Sequence, residues 1–155
     1  MNPNPTSISL VNPIALACAY LWIGFVCAIS FMEAWLKFQA PGIDLALGLG
    51  IGQLVFSALN KVEGVLGIII IISIFYYRNL ELNARILFFL IPVIILLLQT
   101  TWLLPTLDHR ANQIIAGKTP QSDNLHFWYV AYEIIKVTSL TIYSISLNKS
   151  RSHGK

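Results

Sequence analysis

Four long apolar segments, separated by short polar ones, dominate the hydrophobic pattern of the chain. The first uncharged run covers residues 10–32 and ends before Glu33, and another covers residues 86–107. A helix rises about 1.5 Å per residue, so about 20 apolar residues cross the hydrocarbon core of a bilayer. The pattern therefore predicts an all-α integral membrane protein, a four-helix up-down transmembrane bundle in one domain. Its spans are placed at about residues 10–36, 53–77, 85–107 and 125–147.

The apolar region from residue 45 to residue 77 is too long for one simple crossing. Glycine weakens a helix by about 1 kcal/mol relative to alanine, and the first third of this region contains Gly48, Gly50 and Gly52. We therefore expect the second span to begin near Gln53, with residues 43–52 forming a short interfacial or re-entrant segment. The glycines are spaced by two, which fits neither a phosphate loop nor a GxxxG face and favours close backbone packing.

Two features shape the second half of the chain. Pro92 lies inside the third span, where it is expected to kink the helix. Residues 108–124 are polar and contain glycine and proline, which predicts the one substantial loop.

Composition supports the membrane assignment. The chain is 56% hydrophobic and 11% charged, whereas about 25% of the residues in a soluble domain are charged. This excludes an ordinary soluble domain, a disordered chain and a nucleic-acid-binding protein, and it makes the lipid bilayer the expected surroundings.

The distribution of basic residues predicts the orientation of the bundle, since lysine and arginine collect on the cytoplasmic side. One side carries five of them (Arg78, Arg85, Lys149, Arg151 and Lys155), and the other carries three (Lys37, Arg110 and Lys118). We therefore expect both termini in the cytoplasm, with the chain in the cell (inner) membrane.

Most polar residues of the spans fall in the opposite, non-cytoplasmic half. Up-down connectivity brings the end of the first span, the start of the second, the end of the third and the start of the fourth to one level. The predicted binding or polar cluster is Glu33, Asn60, Glu63, Gln99, His109, Arg110, His126, Tyr129, Glu133 and Lys136.

Helical spacing orders part of this cluster. His126, Tyr129, Glu133 and Lys136 are spaced by three, four and three residues, so they form one stripe on the fourth span. Ionisable groups inside a span are costly unless they are paired, which makes this stripe a candidate site.

On the second span, Glu63 shares a face with Asn60 and is expected to point inward, towards Lys136 or Arg110. Lys61 points elsewhere and could extend to the membrane surface. Glu33 and Lys37 form an expected i, i+4 pair.

Three interpretations of the cluster stay open. It could be a set of structural ion pairs that fixes the helix register. It could be a ligand, substrate or proton pathway, with Glu63 and Glu133 accepting protons, Lys136 and Arg110 binding anions and His126 titrating at the entrance. It could also bind a metal or haem through His109 and His126, although no metal-ligand spacing, catalytic constellation or cofactor motif is present.

Aromatic residues near the span ends are typical of the belts that mark the two membrane surfaces. The residues assigned to these belts are Trp22, Trp35, Trp102, Trp128, Tyr76, Tyr77 and Tyr129.

Several short patterns resemble a known family. They are FMEAWLKFQAPG from Phe31 to Gly42, Leu54-Val55-Phe56 before Glu63, and Gln99-x-x-Trp102-Leu-x-Pro105 followed by Arg110. This combination resembles the family of four-helix membrane proteins that includes transmembrane protein 205. The resemblance implies a fold and a membrane location, and that family has no agreed biochemical activity. The loop between the third and fourth spans is much shorter here, which puts a loop-based function in doubt.

A second resemblance concerns the small four-helix glutathione-dependent membrane enzymes. Asn60-Lys61-Val62-Glu63 is similar to an Asn-x-x-Glu on their second span, but Phe56–Leu59 replaces the arginine and histidine that precede it there, and the arginine-rich first loop is missing. The leading expectation is an accessory or structural membrane protein that binds a membrane-protein partner or a second copy. The alternatives are a small-molecule or ion binding or transport unit, and an enzyme.

Overall fold

The described part of the chain consists mainly of four long helices. A computed structural model describes residues 12–77, 84–119 and 124–148. Helix α1, Pro13–Gln39, contains a π-helical turn at Cys27–Glu33 and a 3-10 turn at Lys37–Gln39. Helix α2 is Leu45–Tyr76, and helix α4 is Leu125–Asn148. Helix α3 comprises Ala84–Leu98, a π-helical turn at Gln99–Leu103, and Leu104–Ile115. Within these described residues there is no strand.

All four helices are long and apolar enough to cross a membrane. Their outward surfaces carry large apolar side chains, such as Leu54, Ile72 and Leu97, that are more than half exposed. Such a surface is poorly suited to water and well suited to lipid. The all-α architecture and the four apolar helices agree with the prediction from the hydrophobic pattern.

The start of the second helix differs from the expectation. Residues 43–52 do not form a separate segment, because α2 begins at Leu45 and runs unbroken through all three glycines. The side chain of Asp44 accepts a hydrogen bond from the backbone N–H of Leu47 at 2.7 Å, which caps the helix. A Cβ atom at Gly48 would overlap the ring of Phe38. This glycine therefore lets α1 pack closely on the first turns of α2, which offsets its weak helix propensity.

The first part of the predicted loop at residues 108–124 is helical. Helix α3 continues to Ile115, and Gly117, with a φ of 75°, follows its end. The extension is held against α2, because Gln53 Nε2 donates to the backbone oxygen of Asp108 and to the side chain of Asn112, both at 3.1 Å. These contacts keep a polar sequence helical.

Helix α1 packs on α2 and α4, and α3 packs on the same two helices. The apolar core between them includes Trp22, Val26, Ile70, Leu140 and Tyr143. Pro92 is buried within α3, which continues through it. The basic residues on the side predicted to be cytoplasmic lie outside the described residues or have undescribed side chains: Arg78, Arg85, Lys149, Arg151 and Lys155.

Asn12 connects the start of α1 to the far end of α2. Its Oδ1 accepts from the backbone N–H of Ala15 at 2.9 Å, and its Nδ2 donates to Ser73 Oγ at 3.1 Å. Ser73 Oγ in turn donates to the backbone oxygen of Ile70 at 2.8 Å. Both side chains are buried. Asn12 thus caps α1 and also fixes how α1 is aligned with α2.

We predict that Asn12→Ala destabilises the fold more than Asp44→Ala does. Each substitution removes a helix cap worth about 1 kcal/mol, but only Asn12→Ala also leaves the buried Ser73 hydroxyl without its donor. Thermal unfolding of both variants in detergent measures the difference. Equal losses would show that the contact between Asn12 and Ser73 contributes nothing.

Candidate functional site

Lys136 is the centre of a polar network inside the bundle. Its Nζ donates to Glu63 Oε1 at 2.7 Å, to Gln99 Oε1 at 2.7 Å and to Glu133 Oε1 at 3.1 Å. An ammonium has three donor hydrogens, so these contacts use its whole capacity. The three acceptors come from α2, α3 and α4, so one side chain connects three helices.

The two glutamates of the network are bonded differently. Glu63 Oε1 accepts from Lys136 and also from Trp22 Nε1 on α1, at 2.6 Å. Glu133 Oε1 accepts from Lys136 and from Gln99 Nε2, the latter at 2.8 Å. Glu133 Oε2 is buried and has no hydrogen-bond partner within the described residues. Both carboxyl groups are therefore hydrogen-bonded within the network, but one oxygen of Glu133 has no partner among the described residues.

Irregular helical turns border the network on α1 and α3. Gln99 is the first residue of the π-helical turn of α3, and the backbone N–H of Leu104 returns to its oxygen. Pro105 has no N–H to donate to the preceding turn, which favours a local change of hydrogen bonding. On α1, the π-helical turn contains the buried Ser30. These turns alter which side chains face the interior.

Tyr129 lies one turn before Glu133 on α4, next to both Ser30 and Glu133. It is almost fully buried, and its ring packs edge-on against Phe56 of α2, with 5.2 Å between ring centroids. Ser30 Oγ, like Glu133 Oε2, has no hydrogen-bond partner within the described residues. Tyr129 of α4 thus lies close to Ser30 of α1 as well as to Glu133.

The network lies deep along the helices. Lys136 is equidistant from Leu125 and Leu147, the ends of the fourth apolar helix, roughly 16 Å from each at 1.5 Å per residue. Lys136 and Glu133 are 0% exposed, and Glu63 and Gln99 are 1% exposed. Unpaired charges at such depth would cost at least about 2.5–3.5 kcal/mol each. Pairing and hydrogen bonding are what allow them here.

The structure brings together five residues of the sequence-predicted cluster: Glu63, Gln99, Tyr129, Glu133 and Lys136. Of the two partners considered for Glu63, it is Lys136 that makes the ion pair in the described network. Lys61 is exposed and points away, as the helical spacing predicted.

The remaining predicted residues lie elsewhere. Glu33 pairs with Lys37 at 3.2 Å near the end of α1, as expected. Asn60 Nδ2 donates to Thr100 Oγ1 at 2.9 Å, so Asn60 and Glu63 contact different neighbours despite their resemblance to an enzyme motif. His109 and His126 are exposed, and Arg110 is half-buried on α3.

Sequence reasoning missed Trp22 and Ser30. The sequence pattern predicts Trp22 in a membrane-surface belt, but its side chain is 0% exposed and donates to Glu63, so that prediction is wrong. Tyr129 is likewise buried rather than at a surface. The sequence does contain one indication that Trp22 is not at a membrane surface, because it lies in the middle of its apolar run and not near an end. By contrast, Trp35, Trp102 and Trp128 are about half exposed.

A second polar feature is a half-open groove between α2 and α3, on the outside of the bundle. It has a volume of about 180 Å³ and is lined by Ser57, Asn60, Lys61, Thr100, Leu104, Pro105 and Asp108. Lys61 and Asp108 carry opposite charges, but within the described residues Lys61 makes no ion pair. A charged residue on an outward face of an apolar helix needs a partner or access to water.

Metal chemistry has little support in the described residues. No group of three or more His, Cys, Asp or Glu side chains there could hold a metal ion. Cys18 and Cys27 are free thiols on the same helix.

We predict that Lys136→Met destabilises the bundle by about 3 kcal/mol or more at neutral pH, because two buried glutamates lose their shared cation. The control, Lys118→Met, changes an exposed lysine after α3 and should stay within about 0.5 kcal/mol of the wild type. Unfolding in detergent measures both. Similar stabilities for the two variants would contradict a structural role of Lys136.

No family model, curated protein or solved structure matches this chain. The resemblance noted in the sequence therefore stays an expectation.

Proposed function

We propose that this protein is an accessory membrane protein, an up-down transmembrane bundle whose central ion pairs hold its packing and whose outer groove binds another transmembrane segment. The observation that carries this proposal is the closure of the network. Lys136, Glu63 and Glu133 bind one another and are at most 1% exposed. A substrate pocket would need these groups to face an opening.

Contacts between helix ends support the up-down arrangement. Asn12, at the start of α1, bonds to Ser73 near the end of α2. Gln53, near the start of α2, bonds to Asn112 near the end of α3. With an even number of spans, both termini lie on one side. The count of basic residues favours the cytoplasmic side of the cell membrane.

The orientation predicts a labelling pattern in a background in which Cys18 and Cys27 are replaced by alanine. Lys118→Cys should react in intact cells with a maleimide that does not cross membranes, because it lies between α3 and α4 on the proposed outer side. Ser152→Cys, the control, should react only after lysis. The reverse pattern would invert the orientation, and labelling of both in intact cells would contradict an even number of spans.

A second copy of this chain is the partner that the groove fits best. Lys61 and Asp108 line the same groove with opposite charges, so two grooves related by a two-fold axis are complementary to each other. Thr100 contacts Asn60, and Asp108 lies about 12 Å further along α3. The long side chain of Lys61 can extend towards the helix end and cover much of that distance. Pairing across two copies would shield both charges from lipid.

This proposal predicts dimerisation that depends on charge at two positions. The wild type should be dimeric in mild detergent. Lys61→Asp should be monomeric, because the introduced carboxylate would face Asp108 of the other copy, and the double variant Lys61→Asp/Asp108→Lys should recover the dimer. Light scattering coupled to size-exclusion chromatography measures the mass of each.

Lys118→Asp is the control, because it changes the charge equally but lies outside the groove. It should leave the dimer intact. A monomeric wild type would contradict self-association through this groove. So would a double variant that is as monomeric as the single one.

A second candidate function is ion binding inside the bundle. The specific observation in its favour is Glu133 Oε2, a buried carboxylate oxygen with no hydrogen-bond partner within the described residues. The resemblance to the family that includes transmembrane protein 205 is kept as a proposal about fold and location alone.

A further inference from the structure

The geometry points to Glu133 as a proton-binding site, with one proton held on Oε2 at neutral pH. This inference goes beyond the accessory role and does not depend on the groove. It rests on the charge, the hydrogen bonds and the surroundings of the buried network.

The charges of the network do not balance without a proton. Glu63 and Glu133 bring two carboxyl groups, and Lys136 brings one ammonium, all at most 1% exposed. If both carboxyl groups were ionised, a net charge of −1 would remain in the apolar centre of the bundle. A buried net charge is strongly unfavourable, and a carboxyl group in that position takes up a proton instead.

The hydrogen bonds identify which glutamate holds the proton. Glu63 Oε1 receives two short donations, from Trp22 at 2.6 Å and Lys136 at 2.7 Å, and both stabilise an ionised carboxylate. Glu133 Oε1 also receives two donations, but they are longer, from Gln99 at 2.8 Å and from Lys136 at 3.1 Å. Its Oε2 receives none from the described residues. An O–H on Oε2 keeps every one of these bonds and neutralises the network.

Hydroxyl groups lie close by. Tyr129 lies beside both Glu133 and Ser30, and neither Glu133 Oε2 nor Ser30 Oγ has a hydrogen-bond partner within the described residues. A hydroxyl can both donate and accept, so such a neighbour is compatible with a protonated Oε2.

The titratable and charged groups that face Glu133 can be named for each helix. On α4 they are Lys136 and Tyr129, and on α2 it is Glu63. Helices α1 and α3 present the uncharged Ser30, Trp22 and Gln99. Lys136 is the cation that these described contacts bring to the network, and it is shared between the two carboxyl groups.

Helix α4 also provides a direction from which the proton can arrive. The exposed His126 lies one turn before the buried Tyr129, which lies one turn before Glu133. These residues share one stripe of the helix. A proton from water at the His126 end forms the O–H bond on Oε2, and its release restores the net charge of −1.

The test is nuclear magnetic resonance of the full-length protein in lipid, with glutamate labelled with carbon-13 at its carboxyl carbon and each signal assigned through its own backbone. At neutral pH, the Glu133 carboxyl carbon should have the shift of a protonated acid, and those of Glu63 and Glu33 should have the shift of a carboxylate. An ionised Glu133 at neutral pH would overturn the proposal, whether or not Glu63 is protonated.

A variant gives a second, independent measurement. Glu133→Gln replaces the protonated acid with a neutral group of the same shape, so it should leave the Glu63 signal and the unfolding temperature unchanged. Glu33→Gln is the matched control at the end of α1 and should leave both signals of the network in place. A Glu63 signal that moves in Glu133→Gln would show that the substitution changed the network charge, which contradicts a proton on Glu133. Neither outcome depends on dimerisation, so this inference and the accessory role can fail separately.

Discussion

A lysine ammonium in an apolar interior must find an oxygen of the protein for each of its three N–H groups, because no solvent is there to supply one. Lys136 meets this requirement with Glu63 of α2, Gln99 of α3 and Glu133 of its own helix. Trp22, on α1, also donates a hydrogen bond to Glu63. All four helices therefore contribute to one network, and shifting any helix along its axis would break a buried hydrogen bond.

Such a network specifies an arrangement more than it stabilises one. Removing charges from water has a large cost that pairing only partly offsets, so apolar residues could hold the helices together as firmly. What apolar packing lacks is direction, since leucine side chains tolerate many registers. The polar contacts at Asn12 and Ser73, and at Gln53 and Asn112, have the same effect nearer the helix ends. The π-helical turns in α1 and α3 lie close to the network and help to aim Ser30 and Gln99 inward.

The two lysines within the spans show how surroundings decide the role of one residue type. Lys136 is 0% exposed and saturated by three oxygens, so it acts within the fold. Lys61 is exposed, lines a polar groove and makes no ion pair with the described residues. This difference between the two lysines supports the proposal that the network holds the packing and that the groove binds a partner.

The sequence by itself determined the fold class and much of the inner cluster. Apolar runs of spanning length leave few alternatives to long helices, and the 3.6-residue period placed Glu63 inward, Lys61 outward, and Tyr129, Glu133 and Lys136 on one stripe. It did not determine where α2 begins or where α3 ends, because propensity disfavours helix at glycines and says nothing of the Phe38 and Gln53 contacts that hold these segments.

Only the tertiary structure decided which partners meet. Helical period gives the face of a residue but not the distance between helices, so the choice of Lys136 over Arg110 for Glu63 needed the packed bundle. Trp22 was missed because an aromatic residue in an apolar run gives the same pattern whether it contacts lipid or donates to a buried carboxylate. The π-helical turns at Ser30 and Gln99 shift the register locally, which no regular period can anticipate. The sequence also could not show that Glu133 Oε2 lacks a hydrogen-bond partner among the described residues. That property depends on which donors the other three helices bring close to this oxygen.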